Sequence, residues 1–150
     1  MLRWWNHQVH KWLKYYIQER LVTPGQRPSF AVSMSTFLVS AFWHGFYPCY
    51  YFTFFFAALL AEVNKDLFKA QIIFRHIPGF LQPILANQAC FLTMNYLGIV
   101  FCACTWHNVF MFISSTHYFI FISLFALLAY SRGTNLVGRA KKMEEKLKAK

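Results

Sequence analysis

Three long stretches of this chain, residues 29 to 61, 84 to 104 and 108 to 130, contain no Lys, Arg, Asp or Glu. A bilayer-crossing helix needs ~20 predominantly apolar residues, and each stretch is long enough to be weighed against that length. Between and around them the polar residues gather. Residues 1 to 21 are mixed, and on a helical wheel of about 100° per residue they separate into two faces. Trp12, Trp5, Tyr16, Val9, Leu2, Leu13 and Ile17 share one arc, with His10, Arg3, Lys14, His7, Gln18 and Lys11 opposite. Aromatic residues facing basic ones mark a helix that lies in a membrane interface. Thr23 to Pro28, with two prolines and a glycine, forms a turn, and Ser29 is placed to cap the next helix.

The pattern then predicts helices over residues 29 to 44 and 49 to 61, separated by a break at Gly45 to Pro48. A break at membrane depth is tolerated only where it is buried in protein or lines a cavity. Residues 62 to 83 read as an extramembrane stretch, residues 84 to 104 and 108 to 130 as two further spans, and residues 131 to 150 as a charged tail with a solvated helix at its end. The expected fold is therefore an all-α integral membrane protein, with an amphipathic interfacial helix followed by about four transmembrane helices. Residues 1 to 130 form the membrane domain and residues 131 to 150 the tail.

Two residues depart from this pattern. His44 is the one readily protonated side chain in the apolar run 29 to 61, and an ionisable residue there is a functional candidate by default. On the same helix Ser29, Ser33, Thr36 and Ser40 fall with His44 within an arc of about 80°. Hydroxyls in membrane helices often bond back to the i−4 carbonyl and ease close packing, which accounts for the serines better than for the histidine. Asn6 projects among the apolar residues of the first helix. A buried amide there must find partners, either from neighbouring helices or in a polar cavity.

Charge sets the partner and the orientation. The net charge is +10. The Lys and Arg residues flank hydrophobic spans, so they suit an anionic membrane surface rather than nucleic acid. Residues 1 to 28, 62 to 83 and 131 to 150 hold all fifteen of them. With four passes these segments share one side, and the positive-inside rule makes it cytosolic, both termini included. Four cysteines at 49, 90, 102 and 104 lie in or beside apolar runs and read as free thiols packed in the bilayer core. His7 and His10, or Cys102, Cys104 and His107, offer metal-ligand types but no four-ligand set, so no metal site is expected. His117 reads as a packing histidine within the last span. Lys146 and Lys148 stand five and three residues from the end. That spacing matches a dilysine retrieval signal of endoplasmic-reticulum membrane proteins, which needs a cytosolic tail.

Two motifs carry a family resemblance. Trp5-Asn6-His7-Gln8-Val9-His10-Lys11-Trp12-Leu13 resembles a WN…WL segment, and Ser40-Ala41-Phe42-Trp43-His44-Gly45-Phe46-Tyr47-Pro48-Cys49-Tyr50-Tyr51 resembles an SA-x-WHG-x-x-PGYY segment. Both belong to the lysophospholipid acyltransferase branch of the membrane-bound O-acyltransferases. Asn95-Tyr96 is a weaker third match, and Cys49 departs from the family's usual Gly. The resemblance covers the C-terminal third of the family's length, so the chain reads as a fragment or a shortened copy, with activity of these residues alone left open. It implies transfer of a fatty acyl group from acyl-CoA to a lysophospholipid hydroxyl, with no resident cofactor. It assigns His44 and Asn6 as catalytic residues. A neutral imidazole, with a reference pKa of about 6.5, is a fitting base for a hydroxyl nucleophile. Ser40, Ser33 and Trp43 are the expected substrate-lining residues. The alternative is a membrane-embedded chain that binds lipids or partners without turnover.

Overall fold

The computed structural model describes residues 7 to 74 and 76 to 148, and among them every regular element is helical. The first helical segment is α1 (His7–Trp12), continued without interruption by a π-helical segment (Leu13–Gln18) and by α2 (Glu19–Leu21). α3 is Phe30–His44 and α4 is Pro48–Lys69. A 3-10 turn (Gln71–Phe74) leads towards α5 (Leu81–Cys102), followed by α6 (Trp106–Ser115), α7 (Phe119–Gly133) and α8 (Leu136–Lys148).

The starts and stops follow local chemistry. Ser29 Oγ accepts the Val32 N–H at 3.3 Å, the cap expected from sequence. Thr105 Oγ1 does the same for Asn108 N–H at 3.4 Å. Pro48 stands at the first turn of α4, where its missing N–H costs nothing. Pro83 is likewise absorbed in the first turn of α5.

α4 is the hub. It packs against α3 on one side and against α5, α6, α7 and α8 on the others. Its inner face places Cys49, Phe56 and Val63 against Tyr96 and Val100 of α5, Ile113 of α6, and Phe121 and Leu124 of α7. The Phe56 and Phe121 rings lie 4.3 Å apart. The exterior is apolar too: Phe91, Leu92, Ile99, Phe110, Met111 and Ile122 are all exposed. A contiguous apolar exterior of this kind is a surface for lipid or protein, not for water.

Among the described residues one helix, α5, is by itself long and apolar enough to cross a membrane. α6 and α7 qualify only as a pair, bent by 75°, and α3 is apolar but shorter. The expected single span over 108 to 130 is thus broken. The Thr116 hydroxyl lies 3.1 and 3.0 Å from the Phe112 and Ile113 carbonyls and 2.8 Å from the Tyr96 hydroxyl. His117 and Tyr118 then take positive φ, 51° and 56°, which no run of α-helix allows. His117 is exposed at this bend and does not pack inside a span.

α4 also runs eight residues beyond the expected end of its helix at residue 61, into the stretch read as extramembrane. Ion pairs make this possible. Glu62 meets Lys65 at 3.3 Å and Arg132 of α7 at 3.2 Å. Ser131 Oγ donates to the buried Asp66 Oδ2 at 2.8 Å. The tail is helical as expected. Its opening residues Leu136 and Ala140 are buried beside Ala70, and residues 141 to 148 are exposed.

Candidate active site

α3 and α4 form an antiparallel hairpin, so residues further back along α3 meet residues further on along α4. Near the turn, the His44 ring stacks on Phe54, centroids 5.3 Å apart and planes 27° apart. Far from it, Lys65 Nζ donates to Ser33 Oγ at 3.4 Å. The turn itself depends on Gly45. Its φ of 127° and ψ of −173° lie in a region open essentially to glycine alone. The Gly45 N–H closes back on the Phe42 carbonyl at 3.1 Å, ending the helix immediately after His44.

The π-helical segment crosses this hairpin, and between them lies a cleft of about 400 Å³. One wall is the hydroxyl lane of α3: Ser33, Thr36 and Ser40 line it in order, with His44. Ser33 and Ser40 are buried. Thr36 Oγ1 donates to the Val32 carbonyl at 2.9 Å, and Ser35 bonds back to Ala31 at 3.0 Å. The packing role of hydroxyls is therefore real for these two, while Ser33 is turned to a cation. The opposite wall is Val9, Leu13 and Gln18, with His10 and Lys14.

His44 is caged on one side by aromatic rings. Phe101 of α5 meets it edge-on at 5.3 Å, Trp43 at 5.1 Å and Tyr50 at 6.1 Å. Its other side is exposed. Among the described residues lining the cleft there are basic side chains and no carboxylate.

Of the site residues expected from sequence, Ser33, Ser40 and His44 come together in this cleft. Trp43 does not line it. Its side chain points to an adjoining groove with Trp12, Tyr15 and Tyr16. Asn6 lies outside the described residues. Lys146 and Lys148 sit in the last turns of α8, where Lys148 pairs with Glu144 at 2.7 Å. Sequence reasoning missed Phe54, Phe101, Lys14 and Lys65.

All four cysteines are free. Cys49 is buried, and Cys90, Cys102 and Cys104 are exposed on the protein surface. Among the described residues no three His, Cys, Asp or Glu side chains gather as a metal site would need.

Comparison with known proteins gives consistent results. The family model described as membrane-bound O-acyltransferase matches residues 1 to 100. Lysophospholipid acyltransferase 2 of Arabidopsis thaliana is 32% identical over 117 residues, 76% of this chain and 25% of the relative. The lysophospholipid acyltransferase of Saccharomyces cerevisiae is 46% identical over 65 residues, 43% of this chain and 10% of the relative. Membrane-bound glycerophospholipid O-acyltransferase 2 of Mus musculus is 31% identical over 133 residues, 83% of this chain and 23% of the relative. The chain thus spans a quarter or less of the length of these relatives. Matched over both motifs and the whole α3–α4 hairpin, the chain belongs to the membrane-bound O-acyltransferase family.

Proposed function

We propose that this chain carries the catalytic end of an acyltransferase that moves a fatty acyl group from acyl-CoA to a lysophospholipid hydroxyl. The observation behind this reading is that Ser33, Thr36, Ser40 and His44 line one cleft, in a chain of an O-acyltransferase family.

In this mechanism the lysophospholipid hydroxyl approaches along the α3 wall. His44 takes its proton as the oxygen attacks the thioester carbonyl. The tetrahedral intermediate collapses, the C–S bond breaks, and the coenzyme A thiolate recovers the proton from the imidazolium. Phe54 and Phe101 hold the ring in place. Asn6 assists by orienting the hydroxyl or by donating its amide N–H to the developing oxyanion, a role typically worth ~2.7–4 kcal/mol.

The membrane arrangement belongs to the same proposal. An interfacial N-terminal helix precedes four crossings, made by α3, by α4, by α5 and by the bent pair α6–α7. The basic segments and both termini face the cytosol. Lys146 and Lys148, exposed at the end of α8, serve as the retrieval signal for the endoplasmic-reticulum membrane.

A second reading is a lipid-binding membrane segment without turnover. The exposed side of His44 favours it, because an open cleft admits water to the thioester.

One experiment separates the two. Microsomes containing the chain, alone and fused to the N-terminal portion of the Arabidopsis relative, are assayed for transfer of labelled acyl-CoA to lysophospholipid. Transfer above background is expected in the fusion at least. His44→Ala should lower the rate about 10²- to 10⁴-fold, the usual contribution of a general base, at unchanged protein abundance. A variant as active as the parent removes His44 as the base.

A further inference from the structure

The cleft is polarised along its length. His44 stands at one end, against Phe54. Near the other end is Lys65, whose ammonium donates to Ser33 Oγ at 3.4 Å. Lys65 also pairs with Glu62 at 3.3 Å, but Glu62 is shared with Arg132 at 3.2 Å. Arg132 also reaches Asp66 at 3.8 Å, so it does not depend on Glu62 alone, and the Lys65 side chain keeps 45% of its surface open towards a ligand. Among the described residues lining the cleft there is no carboxylate, and a second lysine, Lys14, lines it as well, paired outside it with Glu19 at 3.8 Å.

The distance between the two ends is fixed by helix geometry. From Ser33 to His44 α3 rises about 16 Å at 1.5 Å per residue, and α4 covers the same rise from Phe54 to Lys65. The proposed reaction places the thioester at His44. In coenzyme A the pyrophosphate is joined to the sulfur by about thirteen bonds, equal to some four residues of extended chain, or roughly 15 Å. The phosphate of a lysophospholipid is only about four bonds from the attacking oxygen, roughly 5 Å at full extension. Only the first of these anions reaches Lys65 from a donor seated at His44.

We propose that Lys65, held at the cleft by Ser33 and Glu62, anchors the pyrophosphate of the acyl-CoA donor one pantetheine arm away from His44. This rests on the acyl-transfer reading, and it adds a ruler: the antiparallel α3–α4 hairpin sets the separation between the donor's charged end and its reactive end.

The test is equilibrium binding of coenzyme A and of pantetheine, which lacks the phosphates, to the full chain in lipid nanodiscs. The wild type, Lys65→Gln and Lys65→Arg are compared. Lys65→Gln should weaken coenzyme A about ten- to a hundredfold, as loss of a charge-assisted hydrogen bond does, and leave pantetheine unchanged. Lys65→Arg should restore most of the affinity. In the wild type, added salt should weaken coenzyme A and spare pantetheine, a readout that needs no variant. Coenzyme A bound equally by Lys65→Gln and wild type overturns the proposal. So does a parallel loss for both ligands, or a wild type that binds coenzyme A no better than pantetheine. Lys65-dependent binding without acyl transfer would sink the transferase reading and leave the anchor standing; transfer with Lys65-independent binding would do the reverse.

Discussion

Gly45→Ala isolates the cost of the turn that presents His44. An alanine Cβ at this position would meet Tyr50 Cε2 at 3.6 Å, an ordinary contact, so crowding contributes little. The backbone is the obstacle, since φ of 127° with ψ of −173° is strained for any residue with a Cβ, by about 1–3 kcal/mol. At about 2–4 °C per kcal/mol for a chain of this size, the melting temperature should fall by roughly 2 to 12 °C. The change is read by thermal melting in mild detergent, followed by circular dichroism and Trp fluorescence. Gly98→Ala provides a control of opposite sign. Gly98 lies inside α5 with ordinary φ and nothing within 4 Å of an added Cβ, so alanine should raise stability by up to about 1 kcal/mol. Acyl transfer should fall in Gly45→Ala beyond what the melting shift explains, because the strain is relieved by moving the residue beside it, His44. A Gly45→Ala protein that melts with the wild type, or above it, refutes the reasoning.

Other outcomes follow from the same structure. Ser131→Ala removes the hydroxyl that donates to the buried Asp66 and should cost about 1–3 kcal/mol, measured by the same melts; no loss would mean the carboxylate is satisfied elsewhere. The Glu144 carboxyl is held below its ordinary value of 4.5 by the hydrogen bond and charge of Lys148. A depressed carboxyl contributes above its unfolded pKa and loses that contribution as pH falls through the folded one. Helicity of a peptide covering residues 134 to 150 should therefore drop below about pH 4.5, with a smaller drop in Glu144→Gln; equal acid sensitivity in both peptides would discard the pair.

The α3–α4 hairpin was legible because each part of it carries a local signal. Ser29 caps, the hydroxyls recur at helical spacing, and Gly45 and Pro48 punctuate. The end of α4 was hidden because Glu62, Lys65 and Asp66 look like a solvated loop until Arg132 and Ser131 arrive from α7. The bend between α6 and α7 was hidden for another reason. Residues 116 to 118 contain neither Gly nor Pro, and the positive φ values of His117 and Tyr118 follow a Thr116 hydroxyl held by the distant Tyr96. The triplet Ser114-Ser115-Thr116 was the available clue, since all three hydroxyls bond back to preceding carbonyls and compete with the helix. His44 and the serines could be placed on one lane from sequence. The cation that faces Ser33 could not, because helical periodicity says nothing of which helix lies opposite.

The π-helical segment also alters how the first helix can vary. A wider turn of this kind is equivalent to an extra residue accommodated within a regular helix. Loss of one residue between Leu13 and Gln18 would let the segment relax to ordinary winding while its two flanks kept nearly their present rotation, since the wider turn already absorbs the additional residue. Gln18 would then stay on the wall that it shares with Val9, Leu13 and Lys14. A single deletion here should therefore be better tolerated than one inside α3 or α4, where the same loss would swing the far side by about 100°.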